Sequence, residues 1–387
     1  MRYTSNLYSM TTTYRLLTFF PNHITTYGIG HAALSIADAM NGAKFESVLV
    51  TSSIDKKIRS KIIKKLIPSL FMRGVHKLCS QKIIFFLTEF FFIIQIRKND
   101  IIYLWPGASI KLFNRIKKKG NVIIIENINC HQMVSKKILD IASKKMHLSD
   151  THVITEESIQ EEVEKLNLCN YVYSPSPSVT KSLLVCGVGE NKILESSYGL
   201  HQYQQFNKTK KYPDKNNPIE VIFVGRVGLR KGVHLLLEYW QEANIDGTLK
   251  IVGNIEESIK GLITQYQQRN DIQFIDFIAD IDVVYKNADV FILPSLEEGS
   301  PLVTYAALGA GLPCIVSPMG GEGVVRHNQD GYVIDPHDKP AWVSALKQLA
   351  ESTELRHSMS VSALIHSDTL LWKNVGLKRA ELLFEKL

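Results

Sequence analysis

Short β-rich apolar runs alternate with helical patterns along this chain, and the alternation occurs in two separate series. The first contains "RLLTFF" (15–20), "HAALSIADAM" (31–40), "SVLVT" (47–51), "DIIYLWP" (100–106) and "NVIIIEN" (121–127). The second contains "IEVIFVG" (219–225), "GVHLLLEYWQ" (232–241), "TLKIVG" (248–253), "IQFIDF" (272–277), "VYKNADVFILPS" (284–295) and "PCIVS" (313–317). Alternation of this kind means βαβ units and parallel sheets. The strands are continuous apolar runs, as expected when helices cover both faces of a sheet. A chain of 387 residues exceeds what one core usually supports. Two doubly wound α/β domains in tandem are therefore predicted, with the boundary in the polar stretch "QFNKTKKYPDKNNP" (205–218).

An apolar fraction of 45% and a charged fraction of 21%, without low-complexity runs, exclude a disordered chain. Five scattered cysteines with no CxxC pair argue against a disulfide framework or a zinc site, and fit a reducing cytoplasm. Polar residues follow Arg2, where a secretory signal would be apolar. The longest apolar run, "IIFFLTEFFFIIQI" (83–96), is too short to span a bilayer and is interrupted by Glu89 and Gln95. It reads as a buried helix. The net charge of +7 is concentrated in the first half. Within 56–66, Ile58, Ile62, Ile63 and Leu66 recur at helical spacing among lysines. That is the pattern of an amphipathic helix on an anionic membrane, or of a solvated basic face over a core stripe. No helix-turn-helix or aromatic-interleaved motif accompanies the charge, so nucleic acid is not the expected partner.

Ligands of open α/β sheets bind beyond the carboxyl ends of the strands, where strand order reverses. In "VIFVGRVGLRKGVHLLLEYW" a strand runs into Gly225 and Arg226, and Arg230 and Lys231 lead to Gly232 and a helix. Three cations beside a helix N-terminus make an anion site suited to a diphosphate. In "TTYGIGHAALSIADAM", Gly28 and Gly30 stand between strand and helix, either as a ligand loop or as a tight turn. Ala33 breaks the GxGxxG pattern, which weakens a nicotinamide-cofactor reading. "SLEEGSPLVTYAALGAGLPCIVS" (295–317) sets two carboxylates at a strand end before a helix of small residues.

Together with "SYGLHQ" (197–202) and "ENINCHQ" (126–132), these motifs resemble family 4 of the retaining glycosyltransferases, which have the GT-B fold. The resemblance covers nearly all of the second series in order and spacing, and more loosely the first. It implies two Rossmann-like domains facing each other across a cleft: an acceptor-binding domain at 1–200, a linker at 201–217, a donor-binding domain at 218–367, and a helix at 368–387 that crosses back. It implies that Arg226 and Lys231, beside Gly225, hold the diphosphate of a nucleotide-sugar donor. Glu298 would meet sugar hydroxyls, helped by backbone N–H groups in the segment Gly299, Ser300, Pro301 and Leu302, in which only the proline lacks one. Phe277 and Ile278 would pack on the base, Gly28 and Gly30 would let a loop approach the phosphates, and His131 would face the transferred sugar. No metal or cofactor is implied, and "ADID" (279–282) reads as helix capping rather than a metal-binding DxD. Tyr332, Trp342 and Trp372 read as packing residues.

One position departs from the family. Its second glutamate, separated from the first by seven intervening residues and commonly a ribose ligand, is Ala306 counted from Glu298 and Tyr305 counted from Glu297. The resemblance implies a metal-independent hexosyltransferase of cell-surface polysaccharide synthesis, acting in the cytoplasm on a glycan or lipid-linked acceptor, and the basic, amphipathic first half adds peripheral membrane contact. Ala306 keeps open a catalytically silent binding protein. A sugar-nucleotide epimerase of the same fold is a further alternative, while length and motifs do not support a pyridoxal-phosphate phosphorylase.

Overall fold

The computed structural model describes residues 13–42, 44–65, 81–149, 151–205, 218–276, 278 and 281–387. The second series folds as a six-stranded sheet of β8 (Ile219–Val224), β9 (Gly247–Val252), β10 (Ile272–Ile275), β11 (Val290–Leu293), β12 (Cys314–Val316) and β13 (Gly331–Val333). Its order is β10-β9-β8-β11-β12-β13, and every strand pair is parallel. Strand order reverses between β8 and β11, so the loops that follow these two neighbours open side by side. Val221, Ile222, Phe223, Phe291, Ile292 and Leu293 are fully buried, which is why these strands read as unbroken apolar runs.

The first series forms a seven-stranded sheet from β1 (Tyr14–Ile24), β2 (Phe45–Ile54), β3 (Ile63–Lys65), β4 (Ile101–Leu104), β5 (Val122–Glu126), β6 (Tyr171–Ser174) and β7 (Ile193–Glu195). The order is β3-β2-β1-β4-β5-β6-β7. The expected pair of Rossmann-like α/β sheets is thus present. The chain divides into two compact units, one drawn from residues up to Glu126, from Asn167–Val172 and from Gly376–Leu387, the other from Asn127–Leu166 and Tyr173–Val375. Of the linker placed at 201–217, residues 206–217 lie outside the described residues.

A buried ion pair closes the first unit. Arg379, on the helix Trp372–Phe384, grips Glu126 at the end of β5 with both terminal nitrogens, at 2.9 and 3.1 Å. Tyr103 of β4 donates to the same carboxylate, and all three side chains are almost wholly inaccessible. Trp342 and Trp372 are buried as expected, while Tyr332 is half-buried and donates to Gln348.

Two expectations are corrected. The basic run 56–66 is not an amphipathic helix: residues 55–62 form turns and irregular backbone, and Ile63–Lys65 pairs in parallel with Leu49, Val50 and Thr51 of β2. Adjacent β-branched Ile62 and Ile63 favour an extended backbone over a helix, and Leu66 lies outside the described residues. The run 83–96 does contain a helix, Gln81–Ile94, yet only one side of it is buried. Thr88, Glu89 and Phe92 point inward, while Ile83, Phe86, Phe90, Phe91 and Ile94 are exposed. Glu89 explains the orientation. Its carboxylate accepts from the Ser109 N–H and hydroxyl, both at 2.7 Å, at the start of the helix Ile110–Lys119. A carboxylate held this way is stable only on the inner side, which turns the opposite apolar face outward.

Candidate active site at the carboxyl edge of the second sheet

After β8 the chain passes Gly225 and Arg226 and makes a short turn at Leu229–Lys231. Gly232 then starts the helix Val233–Ala243. Gly232 has φ +68°, and a Cβ there would strike the carbonyl of Pro294, in the loop that follows β11. The two loops are joined by backbone as well: the carbonyl of Arg230 accepts from the N–H groups of Leu296, at 2.9 Å, and Glu297, at 3.4 Å.

This juxtaposition sets Arg230 and Lys231 against Glu297 and Glu298. Lys231 Nζ lies 2.6 Å from Glu298 Oε1. Arg230 Nε donates to Glu297 at 2.5 Å, and its Nη2 is 3.4 Å from Glu298. A third segment, after β5, completes the network. Arg230 Nη2 donates to Asn129 Oδ1 at 3.1 Å, and the Ser135 hydroxyl donates to the second oxygen of Glu297 at 2.9 Å. Gly299 is needed here too, because a Cβ would collide with the carbonyl of Ile128. Ser176 donates to the Gly299 carbonyl at 2.6 Å. Three loops are therefore tied at one place by alternating charges.

Burial by itself would raise the carboxyl pKa of Glu298, but Lys231 and Arg230 outweigh it and hold the group below the usual carboxylate range. Burial works against the Arg230 cation, and Glu298 and Glu297 reverse this, raising its pKa. The site thus keeps a fixed carboxylate beside fixed cations, an arrangement that can anchor hydroxyls and receive a developing anion. Arg226 stands apart from this cluster: its side chain is 74% exposed and its nearest carboxylate is Glu256, 3.8 Å away.

The helix Leu302–Gly309 follows, with Ser300 and Pro301 buried before it and Leu302 half-buried at its start. Its residues are small because it is covered on several sides. Ala307 and Leu308 are fully buried, and a Cβ on Gly309 would run into Leu200 and the carbonyl of Gln204. The Tyr305 hydroxyl bonds Ser300 at 2.7 Å and accepts from the Tyr198 N–H at 3.0 Å. Ala306 is itself nearly buried.

His131 is fully buried and caps the helix Gln132–Lys145, with Nδ1 accepting from the Met133 N–H at 3.2 Å. That bond puts the ring proton on Nε2, which is buried with no hydrogen-bond partner among the described residues. Burial lowers the His131 pKa, which favours this neutral form. Glu162 Oε2 lies 3.4 Å from Nδ1 and accepts from the Gln132 N–H at 2.7 Å. Burial raises the Glu162 carboxyl to about 7.

Of the other expected residues, Gly28 starts the helix Gly28–Ala39 at φ +70°. Gly30 lies inside that helix, where a Cβ would press on Ile24 and the Phe20 ring, so its smallness serves packing. Ile278 is half-buried, and Phe277 and Asp280 lie outside the described residues. Asp282 is in the first turn of the helix Asp282–Asn287. Among the described residues no group of three His, Cys, Asp or Glu side chains is placed to hold a metal. The sequence reading gave no role to Glu297, Asn129 or Ser135. The neighbouring pairs Arg230-Lys231 and Glu297-Glu298, each at a strand end, carried the signal: two buried carboxylates require two cations.

Solved structures share this architecture. HepE of Anabaena, solved in complex with UDP and glucose, superposes with a TM-score of 0.66 at 15% identity, over 96% of this chain and 99% of that one. The lipopolysaccharide outer core galactosyltransferase WaaB, in its apo form, gives 0.66 at 15% identity over 96% and 100%. The fold is that of the GT-B glycosyltransferases. Residues 204–364 match the family model described as glycosyl transferases group 1. YtcC of Bacillus subtilis, a glycosyltransferase by name, is 30% identical over 311 residues, which are 74% of this chain and 73% of the relative. This chain belongs to the group 1 glycosyltransferase family. An uncharacterized glycosyltransferase of Haemophilus influenzae is 31% identical over 170 residues, so the match covers 47% of that relative and 42% of this chain.

Proposed function

We propose that this protein is a retaining, metal-independent glycosyltransferase of family 4, moving a sugar from a nucleoside-diphosphate donor to a glycan or lipid-linked acceptor in polysaccharide synthesis. The observation that carries the reading is the Lys231–Glu298 pair, held beside Arg230 and Glu297 where the strand order of the second sheet reverses. Two likenesses support it: HepE is solved with UDP and glucose, and an Escherichia coli relative, 32% identical over 151 residues, is named a UDP-galactose galactosyltransferase acting on a diphosphoundecaprenol-linked sugar. That match covers 36% of this chain and 39% of the relative.

In this reading the donor diphosphate meets Lys231 and the exposed Arg226, which neutralise charge growing on the leaving phosphate. Glu298 accepts from sugar hydroxyls without changing protonation state, and the Nε2–H of His131 donates to the sugar from the other side. Such a bond would remove the cost of a buried, unpaired N–H, about 1 to 3 kcal/mol. The acceptor attacks on the face the phosphate leaves, with a phosphate oxygen taking its proton, so no protein nucleophile is assigned. Lys231→Ala combined with Arg226→Ala abolishes donor turnover, measured as released nucleotide across a donor panel, while chelator leaves the wild type active. Full activity in the double variant overturns the assignment.

Ala306 motivates a second reading, a protein that binds without turnover. A calorimetric donor titration separates the two. Binding with turnover supports the transferase, binding without turnover supports the silent protein, and a donor returned as its epimer supports an epimerase.

A further inference from the structure

The helix Gln81–Ile94 is the anomaly of the first unit. Ile83, Phe86, Phe90 and Ile94 fall on one side of it, since the first and last are about three turns apart, and Phe91 borders them. These five side chains are between 39% and 63% exposed. Solitary exposed apolar residues are ordinary, but five large ones on one helix face are not, and such a patch marks a surface that works against something apolar. Glu89 and its two bonds to Ser109 fix this face outward, so it is built into the fold.

The charge around the face names the occupant. Exposed Arg97 and Lys98 follow the helix directly. The helix Ile110–Lys119, bonded to Glu89 through Ser109, carries Lys111, Arg115, Lys117, Lys118 and Lys119, all exposed, and no acidic residue. Lys56, Lys57, Arg59, Lys61 and Lys64 are exposed elsewhere in the same unit. An apolar aromatic face on a helix tied to a basic one suits a helix lying in the headgroup layer of an anionic membrane. A second copy of the chain would set lysine rows against each other. At 14 residues the helix spans about 21 Å, less than a bilayer core of about 30 Å, so it lies on the membrane and does not cross it. No helix among the described residues is long and apolar enough to cross one.

We propose that the face formed by Ile83, Phe86, Phe90 and Ile94, together with exposed Lys111, Arg115 and Lys117–Lys119 of the helix bonded to Glu89, is a membrane-docking surface selective for anionic phospholipid. It gives the lipid-linked acceptor proposed above a place to be met, and its test needs no donor, so either reading can fail alone. Vesicle flotation compares phosphatidylcholine alone with phosphatidylcholine containing phosphatidylglycerol. Binding is expected only with the anionic lipid and falls as salt rises. The variant Phe86→Ser/Phe90→Ser/Ile94→Ser loses at least tenfold in vesicle affinity with its melting temperature and donor binding unchanged, as substitutions of exposed side chains should. Lys117→Gln/Lys118→Gln/Lys119→Gln loses anionic selectivity. Three results overturn the proposal: no vesicle binding by the wild type, equal binding by the serine variant, or a wild-type dimer in sedimentation that the serine variant dissolves.

Discussion

Arg230 and Glu297 show how single residues define the candidate site. Glu297 is buried and touched by Arg230 and Ser135, so Arg230→Met leaves a buried carboxylate without its cation. Breaking one partner of a buried pair is strongly destabilising, but Arg230 is a third exposed and solvent screens part of the loss, so about 2 kcal/mol is expected in urea melts. Arg230→Met/Glu297→Gln should regain at least half of that. Glu298 points the same way in pH. Its folded pKa is depressed, so its contribution is present above the ordinary carboxylate value and lost as pH falls through the folded one. Glu162 has the opposite sign: raised from 4.5 to about 7, it favours the unfolded chain increasingly as pH rises through that window. Glu162→Gln removes this slope. In melts from pH 4.5 to 8, the variant gains on the wild type with rising pH, by on the order of 2 kcal/mol at the top. His131, 3.4 Å from Glu162, has the contrary slope, since its lowered pKa favours folding as pH climbs toward 6.5. At Ala306 the test is a gain: Ala306→Glu lowers the donor KM several-fold if a ribose lies there, and leaves kcat nearly unchanged.

At the scale of elements, Gly232 joins the end of β8 to the helix behind it and lets Pro294 come close. Gly232→Ala meets both a left-handed backbone and a collision. A loss of about 2 kcal/mol is expected, with donor turnover falling further than stability because Lys231 is the preceding residue. Both loops could be read from the sequence, since each is a strand end interrupted by glycine and charge, and in an α/β sheet those ends are where ligands bind. The Asn129–Arg230 contact spans 101 residues and the Ser135–Glu297 contact 162, and no periodicity reports on partners so distant. The helix Gln81–Ile94 misleads for a related reason. Its apolar content reads as burial, and only the bonds of Glu89 to Ser109, 20 residues on, decide which face turns inward.

For the whole molecule, the Arg379–Glu126–Tyr103 cluster ties the first unit's sheet to a helix far along the chain. Arg379→Met strands a buried carboxylate and should cost about 3 kcal/mol, read as a lower melting temperature with the network at Glu297 intact. The cluster also sets an order in time. Glu126 leaves the ribosome long before the arginine 253 residues later that neutralises it. At an elongation rate of about 5 to 20 residues per second, the nascent sheet therefore waits roughly ten seconds to a minute with an unneutralised acid at the end of β5. Until the closing helix emerges, that half of the protein is a client for chaperones, and a chain cut before Arg379 would remain one permanently.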